Sequence, residues 1–273
     1  MTFLQYLDKV PAFHHLVRWL GLRKLAGLFL RLAPRVRTLP NSGARYRCRY
    51  LETILLADEI FHRNVYLKAI DPVQVTHFAD LGCNVGLFAV LLADLTRRRD
   101  LQGLMVDANP AMIVEAQWHV TANGLERVFP VFGLAGAERL GAESDFYLLP
   151  SNLGSSQYPI YEPGKPPKGK WEKVTVPQIS LEEHWLEHFG DQRCQILKID
   201  IEGSEKKLLD TDRLFLRRVD TIILEWHKWI VSRPEIDALL EPQGFRLIEI
   251  LEELETSGIA WYRRMDHPKP QPA

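Results

Sequence analysis

The sequence predicts an α/β protein with a mostly parallel sheet, and three observations predict it. From residue 75 onward, short apolar runs alternate with stretches of helical periodicity, which is the pattern of βαβ units. A glycine-rich turn follows the first apolar run, and an acidic residue ends the second. The composition, 46% hydrophobic and 25% charged over 273 residues, fits one globular domain with an elaborated end. It excludes disordered, collagen-like and disulfide-stapled chains.

Residues 1–50 are predicted to form a basic helical extension. Helical periodicity covers most of the segment and is broken by Pro34, Pro40 and the turn signal at 41–43. The segment carries ten basic side chains and one acidic side chain, a charge of +9, against −10 for the rest of the chain. Two interpretations stay open. Either the segment lies against the chain's own acidic domain, or it contacts a membrane surface or an anionic ligand.

One domain is predicted for residues 51–265, and a disordered, proline-rich tail for 266–273. Its helices are expected at 51–68, 87–95, 110–123, 181–189, 205–216 and 234–240. Its strands are expected at 75–81, 103–106, 128–132, 195–199, 221–224, 245–251 and 259–262, the last two close enough to pair antiparallel. Residues 133–178 interrupt this rhythm and indicate a β insertion with strands at 146–149 and 173–176.

Cysteine usage and hydropathy indicate a cytoplasmic setting. Cys48, Cys83 and Cys194 form neither a disulfide framework nor the spacing of a metal site. No apolar run approaches the roughly 18 residues of a membrane span, and the N-terminus lacks the layout of a signal peptide. Membrane contact at the periphery through residues 1–50 is the open alternative. No nucleic-acid partner is expected, because the chain shows no nucleic-acid motif.

The strongest local feature is the turn Asp80-Leu-Gly-Cys-Asn-Val-Gly86 between a predicted strand and a predicted helix. Glycines there let the backbone approach a ligand, and the helix N-terminus that follows offers free N–H groups. A nicotinamide fingerprint needs glycine at positions 82, 84 and 87, and positions 84 and 87 hold Asn and Leu. An acid before the first glycine suits a ligand with an ammonium group. The structural alternative is a tight strand–helix turn.

Asp107 ends the next strand, where a carboxylate can accept both hydroxyls of a ribose. The two features together describe a nucleoside with an amino-acid-like end. A third feature, Lys198-Ile-Asp-Ile-Glu-Gly-Ser-Glu205, places four charges at a strand exit, where burial is costly unless the charges are paired or used. Pairing of Lys198 with one acid is the structural alternative.

These motifs resemble the FkbM-type branch of class I S-adenosylmethionine-dependent methyltransferases. The resemblance covers about residues 55–262 and rests on four runs: 80–86, 107–110, 197–205 and 222–226. It implies a Rossmann-like, seven-stranded, mostly parallel sheet with helices on both faces and a final antiparallel hairpin. It also implies methylation of hydroxyl groups on sugars, polyketides or related metabolites, and therefore a small-molecule or glycan acceptor.

The resemblance further implies contacts to S-adenosylmethionine over the glycine turn, the end of the second strand and the end of the third. The implied cofactor residues are Asp80, Gly82, Cys83, Asn84, Gly86, Asp107, Ala108, Asn109, Gly133 and Leu134. Ser155 and Ser156 also resemble the family's small-residue stretch after the third strand. Cys83 departs from the alanine that the family more often has.

Catalysis is expected at the ends of the two following strands. A hydroxyl acceptor must lose a proton, so a base is needed within hydrogen-bond reach. Asp200, Glu202 and His227 are the candidates, and His227 is the best of them because its free pKa lies near neutrality. Asp200 and Glu225 offer hard oxygen ligands for Mg²⁺. For His227, the alternative is a structural histidine packed between two tryptophans. For Asp200 and Glu225, the alternative is a pair of acids that binds no metal.

Two other functions stay open. The first is N-methylation on the same fold, and the second is a non-enzymatic nucleoside-binding or scaffold protein that docks through its basic arm. Trp171, in the predicted insertion, is a candidate for the lining of an acceptor site.

Overall fold

The computed structural model describes residues 21–136, 142–149, 155–157 and 171–265. The first 20 residues of the predicted extension, most of the tip of the predicted insertion and the predicted disordered tail at 266–273 lie outside the described residues.

The described elements follow the predicted alternation. In chain order they are α1 (Arg23–Leu32), β1 (Arg35–Thr38), β2 (Arg45–Cys48), α2 (Leu51–Phe61), β3 (His77–Leu81), α3 (Leu87–Thr96), β4 (Gln102–Asp107), α4 (Pro110–Ala122), β5 (Arg127–Phe132), β6 (Glu143–Leu148), β7 (Glu172–Pro177), α5 (Leu181–Phe189), β8 (Cys194–Ile199), α6 (Glu205–Thr211), α7 (Arg213–Leu216), β9 (Val219–His227), α8 (Arg233–Leu240), β10 (Phe245–Glu253) and β11 (Ser257–Arg264). Single 3₁₀ turns at Leu67–Ala69 and Glu241–Gln243 complete the set.

The main sheet has seven strands in the order β10-β11-β9-β8-β3-β4-β5. The pairs from β9 to β5 are parallel, and β11 is antiparallel to both β9 and β10. The predicted mostly parallel sheet with a final antiparallel hairpin is therefore confirmed. In a parallel sheet the carboxyl ends of the strands meet at one edge, which places the residues after β3, β4, β8 and β9 side by side.

Helices cover both faces of this sheet, because successive strand residues point to opposite sides. Phe78, Met105 and Ile196 belong to a core shared with α2, α3 and α4. Ala79 and Leu197 belong to a second core shared with α5 to α8. The near-continuous apolar character of β3 and β8 follows from burial on both faces.

The N-terminal segment differs from its helical prediction. Only Arg23–Leu32 is helical among its described residues, and β1 and β2 form an antiparallel hairpin from residue 35 to residue 48. The reason is a period of two that the helical interpretation passed over. In β2, Tyr46 and Cys48 are buried while Arg45 is exposed.

This hairpin docks on α4 through charged and polar groups. The Arg47 guanidinium donates to both carboxylate oxygens of Glu115 at 2.7 and 2.8 Å, and Arg49 donates to Glu115 at 3.2 Å. The backbone N–H of Arg47 donates to Nε2 of His119 at 2.9 Å, while Nδ1 of His119 faces the carbonyl of Val85 at 2.8 Å. His119 therefore carries its proton on Nδ1. Part of the basic charge thus lies against the chain's own domain.

The predicted β insertion contains the expected pair of strands, since β6 and β7 pair antiparallel with Phe146 opposite Val174. Within the described residues, no helix has both the length and the apolar character needed to cross a bilayer.

Candidate active site

A pocket opens at the carboxyl edge of the sheet, beside the ends of β3, β4 and β8. The pocket, together with the open solvent at its mouth, spans about 970 Å³. Nine of the ten residues predicted to contact the cofactor line it: Asp80, Gly82, Cys83, Asn84, Asp107, Ala108, Asn109, Gly133 and Leu134. Other lining residues are Leu56, Ile60, Tyr66, Phe146, Ser155, Lys198, Asp200, Glu202 and Ser204.

The turn after β3 takes a conformation that requires glycine at its first position. Gly82 has φ +71°, and a Cβ there would lie 1.7 Å from the carbonyl oxygen of Asp200. The N–H groups of Gly82 and Cys83 both donate to the carbonyl of Val106, at 2.9 and 3.0 Å. Asn84, where a nicotinamide site would have glycine, has φ +49°, a region that asparagine tolerates better than most residues. The turn therefore runs close along β8.

Gly86, the tenth predicted cofactor residue, is not among the pocket-lining residues. Its φ is +82°, and a Cβ on it would come within 3.2 Å of the Ala116 side chain. Its small size allows α3 to begin close against α4. The spacing of the motif does not distinguish this packing role from a ligand contact.

Asp107 is fixed at the pocket by two backbone donors. The N–H of Asn84 donates to one carboxylate oxygen and the N–H of Asn109 to the other, both at 2.8 Å. Burial raises the pKa of Asp107 to about 6, against the lowering effect of these two hydrogen bonds. Asn109 also caps α4 by accepting from the N–H of Ala111 at 3.0 Å. The carboxylate is thus oriented before any ligand arrives.

Lys198 supplies the positive charge that the sequence analysis expected from a ligand at Asp80. The Nζ of Lys198 lies 3.4 Å from a carboxylate oxygen of Asp80 and 3.4 Å from one of Asp200. Burial raises the pKa of Asp80, although Lys198 opposes that effect. Burial alone would lower the pKa of Lys198, but the neighbouring carboxylates raise it well above its usual range. This lysine is therefore an ammonium ion at the pocket wall.

His227, the predicted base, lies between two carboxylates. Its Nδ1 lies 2.8 Å from Glu205 and its Nε2 lies 3.1 Å from Glu202. Burial by itself lowers the pKa of His227, but the hydrogen bonds and charges of the two glutamates outweigh burial and raise the pKa to about 11. At neutral pH the ring is protonated and has no free lone pair.

Glu202 adopts an unusual backbone conformation in the loop after β8, with φ +51°. Its side chain is held by His227, and its carbonyl accepts from the hydroxyl of Ser156. The hydroxyl of Ser204 donates to Gln157 at 2.9 Å. The insertion therefore supports this loop. Trp171 is not among the pocket-lining residues and packs edge-on against Tyr147.

Two further acidic residues, Glu225 and Glu59, interact through their charges with Lys198 and Asp200. Burial and the charge of Asp200 raise the pKa of Glu225 to about 8, against the opposing charge of His227. Burial also raises the pKa of Glu59, whose carboxylate accepts from the hydroxyl of Tyr66 at 2.8 Å. The sequence analysis missed Glu59 and Tyr66, since they lie on and just after α2, outside every motif.

Of the predicted metal pair, Asp200 belongs to a described group of three side chains that could hold an ion, and Glu225 does not belong to that group. Ligand atoms of Asp200, Glu202 and His227 do lie within 4.8 Å of one another. Both ring nitrogens of His227 face glutamates, so the same group also forms an ion-pair network. A second group, His184, Glu187 and His188, lies on α5.

Residues 97–247 match the family described as "Methyltransferase FkbM domain". Methyltransferase sdnD of Sordaria araneosa is 25% identical over 228 residues, which is 73% of this chain and 85% of that protein.

Two solved structures are similar in shape. A SAM-dependent methyltransferase from Aquifex aeolicus matches with a TM-score of 0.45 and 14% identity over 77% of this chain and 93% of that chain. Fibrillarin of Aeropyrum pernix, solved with natively bound S-adenosyl-L-methionine, matches with a TM-score of 0.47 and 11% identity over 84% of this chain and 82% of that chain.

Proposed function

The chain belongs to the methyltransferases with an FkbM domain, and from this premise we propose that it uses S-adenosylmethionine to methylate a hydroxyl group of a small-molecule or glycan acceptor. A sugar or polyketide hydroxyl is the expected class. The observation that carries the proposal is one continuous pocket that joins Asp107, at the end of β4, to Asp200, at the end of β8. It offers a carboxylate for a ribose and a second carboxylate for a proton.

The first part of the pocket fits the nucleoside end of the cofactor. Asp107 is oriented by two backbone N–H groups, so its remaining lone pairs can accept from ribose hydroxyls. The absence of a side chain at Gly82 leaves the turn close to β8, and the N-terminus of α3 follows it. When bound, S-adenosylmethionine supplies a methyl group attached to a positively charged sulfur. The sulfur is an excellent leaving group because it becomes neutral when the methyl group is transferred. The protein is therefore needed mainly for alignment and proton removal.

Asp200 is the residue best placed to accept the proton of the acceptor. It lines the pocket, its side chain is 25% exposed, and it lies at the end of β8 next to the glycine turn. Lys198, 3.4 Å away, can donate a hydrogen bond to the acceptor oxygen and stabilise the negative charge that grows there. With the cofactor bound, Asp200 would accept the proton of the hydroxyl when that oxygen takes the methyl group, and the methyl–sulfur bond would break with its electron pair left on sulfur.

Glu202 and His227 act as positioning residues in this proposal. His227 stays protonated and holds Glu202 and Glu205 in place, which fixes the loop that carries the end of β8 into α6. An oxygen acceptor is favoured over a nitrogen acceptor, because carboxylates around the pocket stabilise an amine in its protonated, unreactive form. Family membership favours an enzyme over a nucleoside-binding scaffold.

Calorimetric titration of the full chain with S-adenosylhomocysteine tests the cofactor assignment. We expect stoichiometric binding that NAD does not reproduce and that Asp107→Ala loses. Asp210→Asn, on the surface of α6, is the matched control and should bind normally. Binding that survives Asp107→Ala would contradict the assignment of the ribose site.

Transfer of labelled methyl to a panel of sugar, polyketide and amine acceptors tests the reaction. We expect Asp200→Asn to lower kcat by about 10²–10⁴-fold while S-adenosylhomocysteine binding stays within a few-fold. A product profile made of amines alone would exclude O-methylation, and no transfer to any acceptor would favour the scaffold. Repeating the assay with EDTA and with Mg²⁺ tests whether the acidic cluster needs a cation.

A further inference from the structure

Helix α1 presents a large apolar face to solvent. Leu25, Leu28, Phe29 and Leu32 are 65%, 55%, 64% and 77% exposed, and Leu22, just before the helix, is 40% exposed. These positions fall on one side of an α-helix, within an arc of about 120° at 3.6 residues per turn. Contiguous exposed apolar surface of this kind is rare on soluble proteins and marks an interaction site.

The orientation of α1 is set by its other side. Leu30 is buried in the core shared with α2, and Ala26 packs against the same core. The helix is therefore anchored to the domain through a small apolar contact while its larger apolar face stays outward. No acidic residue occurs between positions 21 and 51, so nothing in the segment neutralises its charge.

The remaining side of α1 is basic. Lys24 and Arg31 are exposed, and Arg31 also lies 5.6 Å from the ring of Tyr50. These residues differ from Arg47 and Arg49 of β2, whose charges are paired with Glu115. The basic N-terminal segment thus divides into a hairpin that binds the chain's own domain and a helix whose basic side faces outward.

We propose that α1 docks the protein on the surface of an anionic lipid bilayer. The apolar face of α1 enters the boundary between headgroups and acyl chains, and Lys24 and Arg31 lie against the lipid phosphates. A short helix with an apolar face flanked by basic residues is the form that binds membrane interfaces. Basic side chains near such a surface add to the attraction of the negative leaflet. This inference is independent of the proposed reaction.

Charge complementarity favours lipid over the two other occupants. A second copy of the chain, paired about a two-fold axis, would bring Lys24 and Arg31 of both copies towards the same interface. Residues 1–20 carry two basic residues and one acidic residue, so they offer no net countercharge. An anionic lipid surface satisfies both the apolar and the basic sides of α1.

Flotation of the full-length protein with vesicles tests the proposal. We expect binding to vesicles of phosphatidylcholine with 30 mol% phosphatidylglycerol, and at least tenfold weaker binding to phosphatidylcholine alone or at high salt. Lys24→Glu with Arg31→Glu should weaken binding by at least tenfold, and so should Leu25→Gln with Phe29→Gln. Far-UV circular dichroism and thermal unfolding verify that each variant is folded.

Two matched pairs of substitutions control for surface charge and surface apolarity. Arg217→Glu with Arg246→Glu changes the charge by the same amount elsewhere, and Val73→Gln with Leu214→Gln removes two exposed apolar side chains elsewhere. Both should bind vesicles as the wild type does. The proposal is overturned if the wild type does not float with anionic vesicles at low salt, or if the α1 variants float equally well. A wild-type dimer in sedimentation velocity that Leu25→Gln with Phe29→Gln dissociates, without lipid binding, would assign the face to a second copy.

Discussion

At the scale of single residues, the ion pairs of His227 make the stability of the fold depend on pH. The ordinary pKa of histidine is near 6.5, and in the folded chain it is raised to about 11. The folded state therefore holds its proton more tightly than the unfolded state. The stabilisation is fully present below about pH 6.5 and is lost progressively as pH rises towards 11.

We expect His227→Gln to lower the free energy of unfolding at pH 7 by about 3–5 kcal/mol, because two glutamates lose their buried partner. Above pH 7 the free energy of unfolding of the wild type should decline as His227 loses its proton, and the variant should lack this part of the decline. Urea denaturation between pH 6 and pH 10 measures both effects. His62→Gln, on an exposed side chain, should keep the wild-type slope. An equal slope in His227→Gln would show that the ring is not protonated.

Gly82 carries a second prediction at this scale. Alanine there must adopt φ +71° and would place its Cβ on the carbonyl oxygen of Asp200, so the turn or β8 must move. We expect Gly82→Ala to abolish binding of S-adenosylhomocysteine in calorimetry. Gly124→Ala has a similar φ of +62° with open space around the Cβ, so it should cost only about 1–2 kcal/mol of stability and leave binding unchanged. Loss of binding in both variants would mean that strain alone explains the effect.

The position of a residue could be predicted where it depends on local sequence. Asp107 follows a strand at the expected distance from the glycine turn, so its place at the pocket could be predicted. The charge state of His227 could not be predicted, because the two glutamates that pair with it, Glu202 and Glu205, lie more than 20 positions away. They reach the ring from a loop in which Glu202 has a positive φ. The pairing of Asp80 with Lys198 likewise depends on the neighbouring positions of β3 and β8.

At the scale of elements, buried charged groups help to hold the hairpin of β1 and β2 to α4. Glu115 is 1% exposed and is paired with Arg47, which is 15% exposed, and with Arg49, which is 38% exposed. Arg47 also lies 4.3 Å from the ring of Trp118. We expect Arg47→Leu to destabilise the protein by about 3–5 kcal/mol, because the buried carboxylate of Glu115 loses the guanidinium of Arg47.

Arg49→Leu is the matched control for this prediction. It removes the longer and more exposed of the two contacts, so the loss should stay below about 1 kcal/mol. Urea denaturation at pH 7 compares the two variants. Equal losses would contradict the prediction that Arg47 is the main partner of Glu115.

The strands of the main sheet could be predicted because each is a compact apolar run between turns. The hairpin could not, because its alternation extends over only four residues in each strand and half of those residues are arginine. Arginine is common in helices, and the prolines that flank the segment suggested broken helix. Contacts with α4, which is distant in sequence, decide the outcome.

At the scale of the whole molecule, ligand binding should be visible as added stability. A ligand that binds only the folded state stabilises it by about 2.7 kcal/mol at 100 times its Kd. We expect S-adenosylhomocysteine to raise the thermal midpoint of the wild type and of Asp210→Asn, and to leave that of Asp107→Ala unchanged. NAD should shift none of them. A shift with NAD alone would contradict the assignment of the cofactor class.

The fold class could be predicted from the order of elements, and the charge split from composition. What composition could not show is where the basic charge lies. Arg47 and Arg49 are used inside the fold, whereas Lys24 and Arg31 face outward beside an apolar face. Only the packing of α1 and of the hairpin separates these two uses.

His119 joins the hairpin to the glycine turn, and this contact determines where the chain can be cut to give a fragment for a fusion protein. Its Nε2 accepts a hydrogen bond from the backbone N–H of Arg47 in β2, and its Nδ1 donates one to the carbonyl of Val85 in the turn. A fragment that starts at residue 51 would keep every strand of the main sheet but would leave that imidazole with one side unsupported. The smallest transplantable unit should therefore begin near residue 35, so a fusion or shuffling boundary belongs between α1 and β1.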